Sequence, residues 1–557
     1  MPGDLVNALE NIQNLVSVDS RRGLFTRVPP SALNPSSLTV TIAPVPFGVN
    51  GGNYEHSIAI TDLVGTVLEV VTIVGGSAVS GAMQGTLIFR SVTGTYAPGT
   101  YQLRSATSGI QEAIYSLPTA GFGGGWVIVP QGFWNIYASI IIRANAVRLS
   151  GAGVTATRLN WLGNKDVDCI IFDGSSTSGY GGSNTLENLR IEGQSNANVG
   201  YAVRIDNQNK FLAYRLSIVS FANGLKIVAP SSDWENTFRD IDIVMTGPGG
   251  IGVFCDNVSG ATFSNVDIGG DGTNASTGFL IKFTGGIVME ACSTLYCGVG
   301  LAIVPDSGQI ANWMWFTDCY FDTSVIDNIF INPAAGGIVA GVHFVNSWSS
   351  NCQNGSGVLI GNAGTVDGVQ FVSHRALLNS EYGYRVFGGK NISFIDCVAC
   401  GNSWTTPGSV SGLQFDGASR FKVIGGVYSS GYRLNDNNQR YGIIIGGPCV
   451  DYLITGVFVR PNVDGGILDL GGTNGIIKDC IGYNPVGVLS ITPTGSPFTF
   501  KNGSTACTLY IFGGTVTTVA INGVAVATSS PCQISLAPNM SVVITYSAVP
   551  VLTQVIE

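Results

Sequence analysis

Charge is what this chain has least of. Of its 557 residues, 26 are Lys or Arg and 35 are Asp or Glu, 11% together, where soluble domains carry about 25%. Disorder needs the reverse balance, and 45% of these residues are apolar. The net charge of −9 without a basic block argues against a nucleic-acid partner. Histidine is down to three residues. No histidine or second cysteine pair stands at ligand spacing from the lone CxxC of Cys397 and Cys400, so no metal and no cofactor is expected. The twelve cysteines then read as buried free thiols. A strict Gly-X-Y period is missing, which removes collagen, and the Ala, Glu, Lys and Leu of coiled-coil rods are scarce. Long unbroken apolar runs are missing too. Val70–Phe89 carries no charge, yet Gly75, Gly76, Gly81 and Gly85 cut it. It reads as two β-branched strands around a glycine turn, and no membrane insertion is expected. The opening MPGDLVNALE has neither a basic nor an apolar signal region, so no secretory leader is expected in it.

Glycine is abundant, 76 residues, and it punctuates a repeat. Between Gly109 and Gly495 a pattern recurs every ~21 to 32 residues. A short apolar alternation follows a glycine, then a turn, a second alternation, an Asn, Asp or Ser, and a polar loop. First segments include IIIRA (140–144), IIFDG (170–174), AVRID (202–206), VFCDN (253–257), LIKFT (280–284), VLIGN (358–362), RVFGG (385–389) and IIIGG (443–447). Second segments include TLENLRI (185–191), TFRDIDI (237–243), TFSNVDI (262–268), WFTDCYF (315–321), HFVNSWS (343–349), QFVSHRA (370–376) and SFIDCVA (393–399). A unit this short cannot bury its apolar face alone, but stacked coils can, at a strand spacing of about 4.8 Å. The pattern predicts an all-β chain built on a parallel β-helix of roughly thirteen or fourteen coils. The column Asn188, Asp240, Asn265, Asp318, Asn346, Ser373, Asp396 reads as a ladder of turn residues bonding backbone N–H groups, not as a catalytic row.

Residues 109–162 carry a resemblance. An amphipathic helix (Ile110–Leu117) is followed by a glycine run, then VIVPQG (Val127–Gly132), then LSGAG (Leu149–Gly153). This is similar to the opening of the pectate-lyase-like, right-handed parallel β-helix superfamily, where the helix covers the solenoid's open end. The whole layout resembles a bacteriophage tailspike. Residues 1–35 read as an N-terminal anchor, with Asp4 capping a helix in which Leu5, Leu9, Ile12 and Val16 recur at coiled-coil spacing and Pro29-Pro30 as its stop. Residues 36–103 read as a small β adaptor domain, 104–495 as the β-helix with its capping helix, and 496–557 as a small C-terminal β domain. The resemblance implies a homotrimer in the phage tail. Its N-terminus would dock on a tail, baseplate or adaptor protein, and its β-helix would bind, and in many such spikes cleave, a host surface polysaccharide.

The superfamily's polygalacturonase motifs (N-T-D, D-D, G-H-G, R-I-K) are absent, and no carboxylate cluster beside a basic residue fits a calcium-dependent lyase. Glycoside hydrolysis needs two carboxyls, about 5–5.5 Å apart for retention and about 6.5–9.5 Å for inversion. Aligning TFRDIDI with TFSNVDI sets Asp242 against Asp267, both outward, where like charge would raise one pKa as a general acid requires. The alternative is two solvated surface acids. A second candidate places Glu381 as acid with Asp322 as partner, beside an outward row of Tyr320, Trp348 and Arg375 that would hold sugar rings and hydroxyls. The alternative there is a loop acid beside packed tyrosines. Trp234 and Trp404 stand in loops where an exposed ring would favour glycan contact. An endo-acting depolymerase, a binding-only spike and a surface-attached bacterial carbohydrate enzyme remain distinct readings. The coiled-coil anchor disfavours the last.

Overall fold

The computed structural model describes residues 15–17, 32–43, 45, 49–51, 56–117, 124–174, 181–194, 199–233, 235–247, 249–273, 275–431, 438–483 and 487–556. The chain divides into two compact units, Met1–Cys297 and Gly298–Glu557.

The first unit opens on an antiparallel five-stranded sheet in the order Thr39–Ile42, Gly85–Phe89, Val67–Gly75, Ser57–Thr61, Gln102–Ser105. The uncharged run is indeed two strands of this sheet, with Ile73 opposite Phe89. Val40, Ile58, Ile60, Ile73, Leu87 and Tyr101 pack its core. The helix Ile110–Tyr115 follows, its apolar residues buried. Glu112 in this helix is buried as well, and it accepts bonds from Ser105 Oγ (2.7 Å) and pairs with His56 Nε2 (3.0 Å). Parallel coils then begin. Gly125–Val129 pairs with Val147–Gly151, which pairs with Thr185–Glu192, then Leu212–Phe221, Thr237–Met245 and Thr262–Gly269. Every second side chain points into the core: Leu216, Ile241 and Val266 stand in one column, Ile218, Ile243 and Ile268 in the next.

The second unit continues the same parallel construction and ends in two four-stranded antiparallel sheets. Its coils show why a narrow core takes Phe. Phe316, Phe344, Phe371 and Phe394 stack with centroids 4.6, 4.9 and 5.1 Å apart, the spacing of the strands that carry them. A buried amide ladder runs beside them. Asn328 Nδ2 donates to Asn379 Oδ1 (3.1 Å), Asn379 Nδ2 to Asn402 Oδ1 (2.9 Å), and Asn402 Nδ2 to Gln439 Oε1 (2.9 Å). Each amide satisfies the next, so polar groups can be buried at every turn without an unmet donor. The C-terminal sheets share a core of Leu509, Ile511, Val519, Leu536, Val542 and Ile544.

Three sequence expectations shift. The anchor helix through Val16 does not hold at its end: Leu15–Ser17 is a strand, parallel to Trp126–Ile128. The rest of residues 1–31 lies outside the described residues. A coil edge with unpaired backbone groups captures this segment, with β-favouring Val16 at its centre, against its helical spacing. AVRID, LIKFT and RVFGG each start one residue off register. The in-register residues are Val203 opposite Ile170, Phe279 opposite Val253, and Tyr384 opposite Val358. A one-residue slip exchanges faces, so Phe279 and Tyr384 are core. The turn column is two columns. Asn188, Asp240 and Asn265 bend their strands at mid-length. Asp318, Asn346, Ser373 and Asp396 follow their strands' ends, and the mid-strand bend of Ile310–Thr317 is Trp313. All seven have φ of +50° to +55°, as turn residues require, and Asn265 Nδ2 bonds Asp240 Oδ1 at 2.9 Å. All described cysteines are free, and only Cys532 is less than fully buried.

Candidate functional site

In the first unit, Asp242 lies in register with Asp267 on the adjacent coil. The outward row through them reads Arg158, Arg190, Ser217, Asp242, Asp267, Ser293. Both acids are exposed. Parallel strands are about 4.8 Å apart, which sets these carboxyls near the separation of a retaining pair. Partial desolvation and then the negative charge of Asp267 raise the Asp242 pKa, while Arg190 pulls it down. Asp267 accepts a hydrogen bond from Ser293 Oγ. The coil carrying Ser217 was not among the aligned repeats, and Ser293 had no sequence signal beyond its register.

In the second unit, Tyr320, Trp348 and Arg375 stand in register on successive coils. Tyr320 and Trp348 are 40% and 37% exposed, their rings 4.5 Å apart and tilted by 46°. Arg375 is exposed and enters no ion pair among the described residues. The row therefore offers two aromatic surfaces and a free guanidinium on one face. Asp322 ends the strand that begins with Tyr320. Its Oδ1 accepts from Ser350 Oγ (2.8 Å) and Asn351 Nδ2 (3.1 Å), so it braces the bend at Asn351.

The carboxyl facing Glu381 is that of Asp327. Glu381 is exposed, its backbone N–H bonded to Gly355 O, and Asp327 stands two coils away. Between them lies Gly355, where a Cβ would meet Ile326 O at 1.7 Å and Asp327 Oδ1 at 2.8 Å. Only glycine fits there, and no side chain screens the two acids from each other. Asp327 is 6% exposed. Burial raises its pKa to about 7, with the Glu381 charge adding to the rise against one bond from Ser356 N–H. The next coil carries Trp404, 46% exposed, in a loop tied down by Ser403 N–H to Glu381 O (2.8 Å) and Thr405 Oγ1 to Ser380 O (3.0 Å). Trp234 lies outside the described residues.

The chain is similar in structure to tailspike protein 3 of bacteriophage CBA120, at 13% identity and a TM-score of 0.43 over 68% of this chain and 58% of that one. It is similar to the A-module of the Azotobacter vinelandii mannuronan C-5 epimerase AlgE6, at 15% and 0.41, over 67% and 94%. It is similar to a variant tailspike of E. coli bacteriophage HK620 in complex with a pentasaccharide, at 11% and 0.41, over 78% and 87%. The chain thus spans less than two thirds of the CBA120 protein. These are likenesses of fold. No protein-family profile and no curated protein sequence matches the chain.

Proposed function

We propose that this protein is a tailspike that binds a host surface polysaccharide, a capsule or O-antigen, and hydrolyses it with retention. The observation that carries the reading is the exposed row Tyr320–Trp348–Arg375, since adjacent aromatic surfaces beside a free guanidinium suit sugar faces and hydroxyls. Cleavage is assigned to Asp242, the proton donor, and Asp267, the nucleophile, whose register supports retention. As a spike of this kind it winds as a right-handed β-helix and works as a homotrimer. It docks through its N-terminal segment on a phage tail component and acts from the virion at the host cell surface.

A binding-only spike is the second reading, favoured by the exposure of both Asp242 and Asp267, since general acids are more often sheltered. One experiment separates the two. Purified protein is incubated with capsular and O-antigen polysaccharides, and both retained polymer and new reducing ends are measured for the wild type, Asp242→Asn, Asp267→Asn and Trp348→Ala. New reducing ends lost in the Asp variants, with binding kept, support hydrolysis. Binding lost in Trp348→Ala without any reducing ends at all supports the binding-only spike. A wild type that retains no polymer sinks both.

A further inference from the structure

The second unit carries a groove of about 470 Å³ away from the row described above, lined by Asn391, Arg420, Lys422, Asp451, Tyr452 and Asn474 among others. Its one acid, Asp451, is held by a neighbouring amide. Asn474 Nδ2 donates to Asp451 Oδ1 at 3.0 Å. Asp367, beside the groove, accepts from Asn391 Nδ2 (2.6 Å) and pairs with Lys390 (3.1 Å). Those bonds and the charges of Lys390 and Arg420 hold the Asp367 carboxyl below the usual range despite slight burial. Arg420 and Lys422 are exposed, and neither side chain enters an ion pair among the described residues. In a chain of net charge −9, a groove lined by two cations against one carboxylate stands out.

The groove lies on a longer track. Lys422 stands in an outward row that runs Trp315, His343, Gln370, Ser393, Lys422 on five successive coils and goes on to Leu453 and Ile476. The bend beside this row holds Trp313, Gly341, Gly368, Asn391 and Arg420, all at positive φ. Trp313 is 59% exposed, and its ring lies over Gly341, 3.6 Å from where a Cβ would stand. Gly341 and Gly368 put no side chain between that ring and the groove. Four coil steps separate Trp313 from Arg420, about 19 Å at the spacing of parallel strands.

We propose that this track seats an anionic stretch of the polysaccharide, with one sugar ring on Trp313 and carboxylate or phosphate groups on Arg420 and Lys422. The inference rests on the polysaccharide reading and narrows it to acidic polymers. The cations supply charge-assisted bonds that a neutral sugar cannot use, and the indole supplies stacking that a bare anion cannot use. The two ends together select a polymer over a free anion.

The test uses full-length protein on an array of bacterial polysaccharides of known composition, some neutral, some carrying uronic acid and some carrying phosphate. Wild type is compared with Trp313→Ala, Arg420→Ala/Lys422→Ala, Arg420→Lys/Lys422→Arg and Trp348→Ala. Retained polymers should be anionic. The double alanine variant should bind them at least about tenfold more weakly, and the charge-keeping variant should recover most of that loss. Carboxyl reduction or dephosphorylation of a retained polymer should weaken wild type as much as the alanine pair does, and shows which anion is read. Trp313→Ala should weaken binding with an unchanged melting temperature. Equal binding of neutral polymers, or an alanine pair that binds like wild type, overturns the inference. If Trp348→Ala alone loses binding, the polysaccharide reading stands and the acidic track falls. If wild type binds nothing, both fall.

Discussion

Asp327→Asn should make this protein more stable at alkaline pH. Asp327 is buried, receives one backbone bond, and titrates at about 7 where an ordinary aspartate titrates at 3.8. Because its pKa is raised by folding, the folded state holds a proton that the unfolded state has released. Stability is therefore fully present below pH 3.8 and is lost as pH rises to about 7. That displacement corresponds to about 4 kcal/mol at pH 8, of which less than half is already lost at pH 5. An asparagine keeps the acceptor for Ser356 N–H but brings donors that cost about 1–3 kcal/mol if unmet. The net gain at pH 8 is then about 1–3 kcal/mol. The cleaner quantity is the change in the difference between variant and wild type from pH 5 to pH 8, about 2–3 kcal/mol, because the amide penalty cancels. Urea unfolding at the two pH values measures it. A difference that does not change with pH would refute the buried-acid argument. A stabilised variant that also loses depolymerase activity would place Asp327 and Glu381, two coils apart with bare Gly355 between them, in the chemistry, in place of Asp242 and Asp267.

Four further outcomes are expected. Asp242→Asn and Asp267→Asn should each lower cleavage by about 10²- to 10⁴-fold. Since Asp242 must be protonated to act and its pKa is raised, the wild-type rate should fall as pH climbs, and a rate that rises with pH would reverse the roles of the two acids. Asn402→Leu breaks the amide ladder at its centre, stranding groups on Asn379 and Gln439, and should cost about 3 kcal/mol or more in unfolding experiments; a loss below about 1 kcal/mol would mean that the ladder adds little. In the folded protein a thiol reagent should label Cys532 first and leave the buried cysteines for the unfolded chain, as mass spectrometry after brief labelling can check.

Local spacing carried much of the architecture. Alternating apolar segments closed by glycine and Asn, at intervals too short for a domain, admit little besides stacked coils, and the coils are there. The same spacing placed Asp242 on Asp267, because TFRDIDI and TFSNVDI are neighbours of equal length with no slip between them. It also aligned Tyr320, Trp348 and Arg375, whose repeats begin at equivalent positions. Composition was enough to put the cysteines inside.

Tertiary structure decided what depends on loop length and on competition for an edge. The Glu381 charge acts on Asp327 across the intervening coil, at Gly355, whose missing side chain leaves the space open. Trp313 and Arg420 fall on one bend only because the coils stack, with Gly341 and Gly368 between them. Leu15–Ser17 left its helical spacing for an open strand edge. A period of two records which face a residue occupies within its own coil. Which coil lies above it, and by how many residues the next one slips, is settled only when the backbones pair and the core closes.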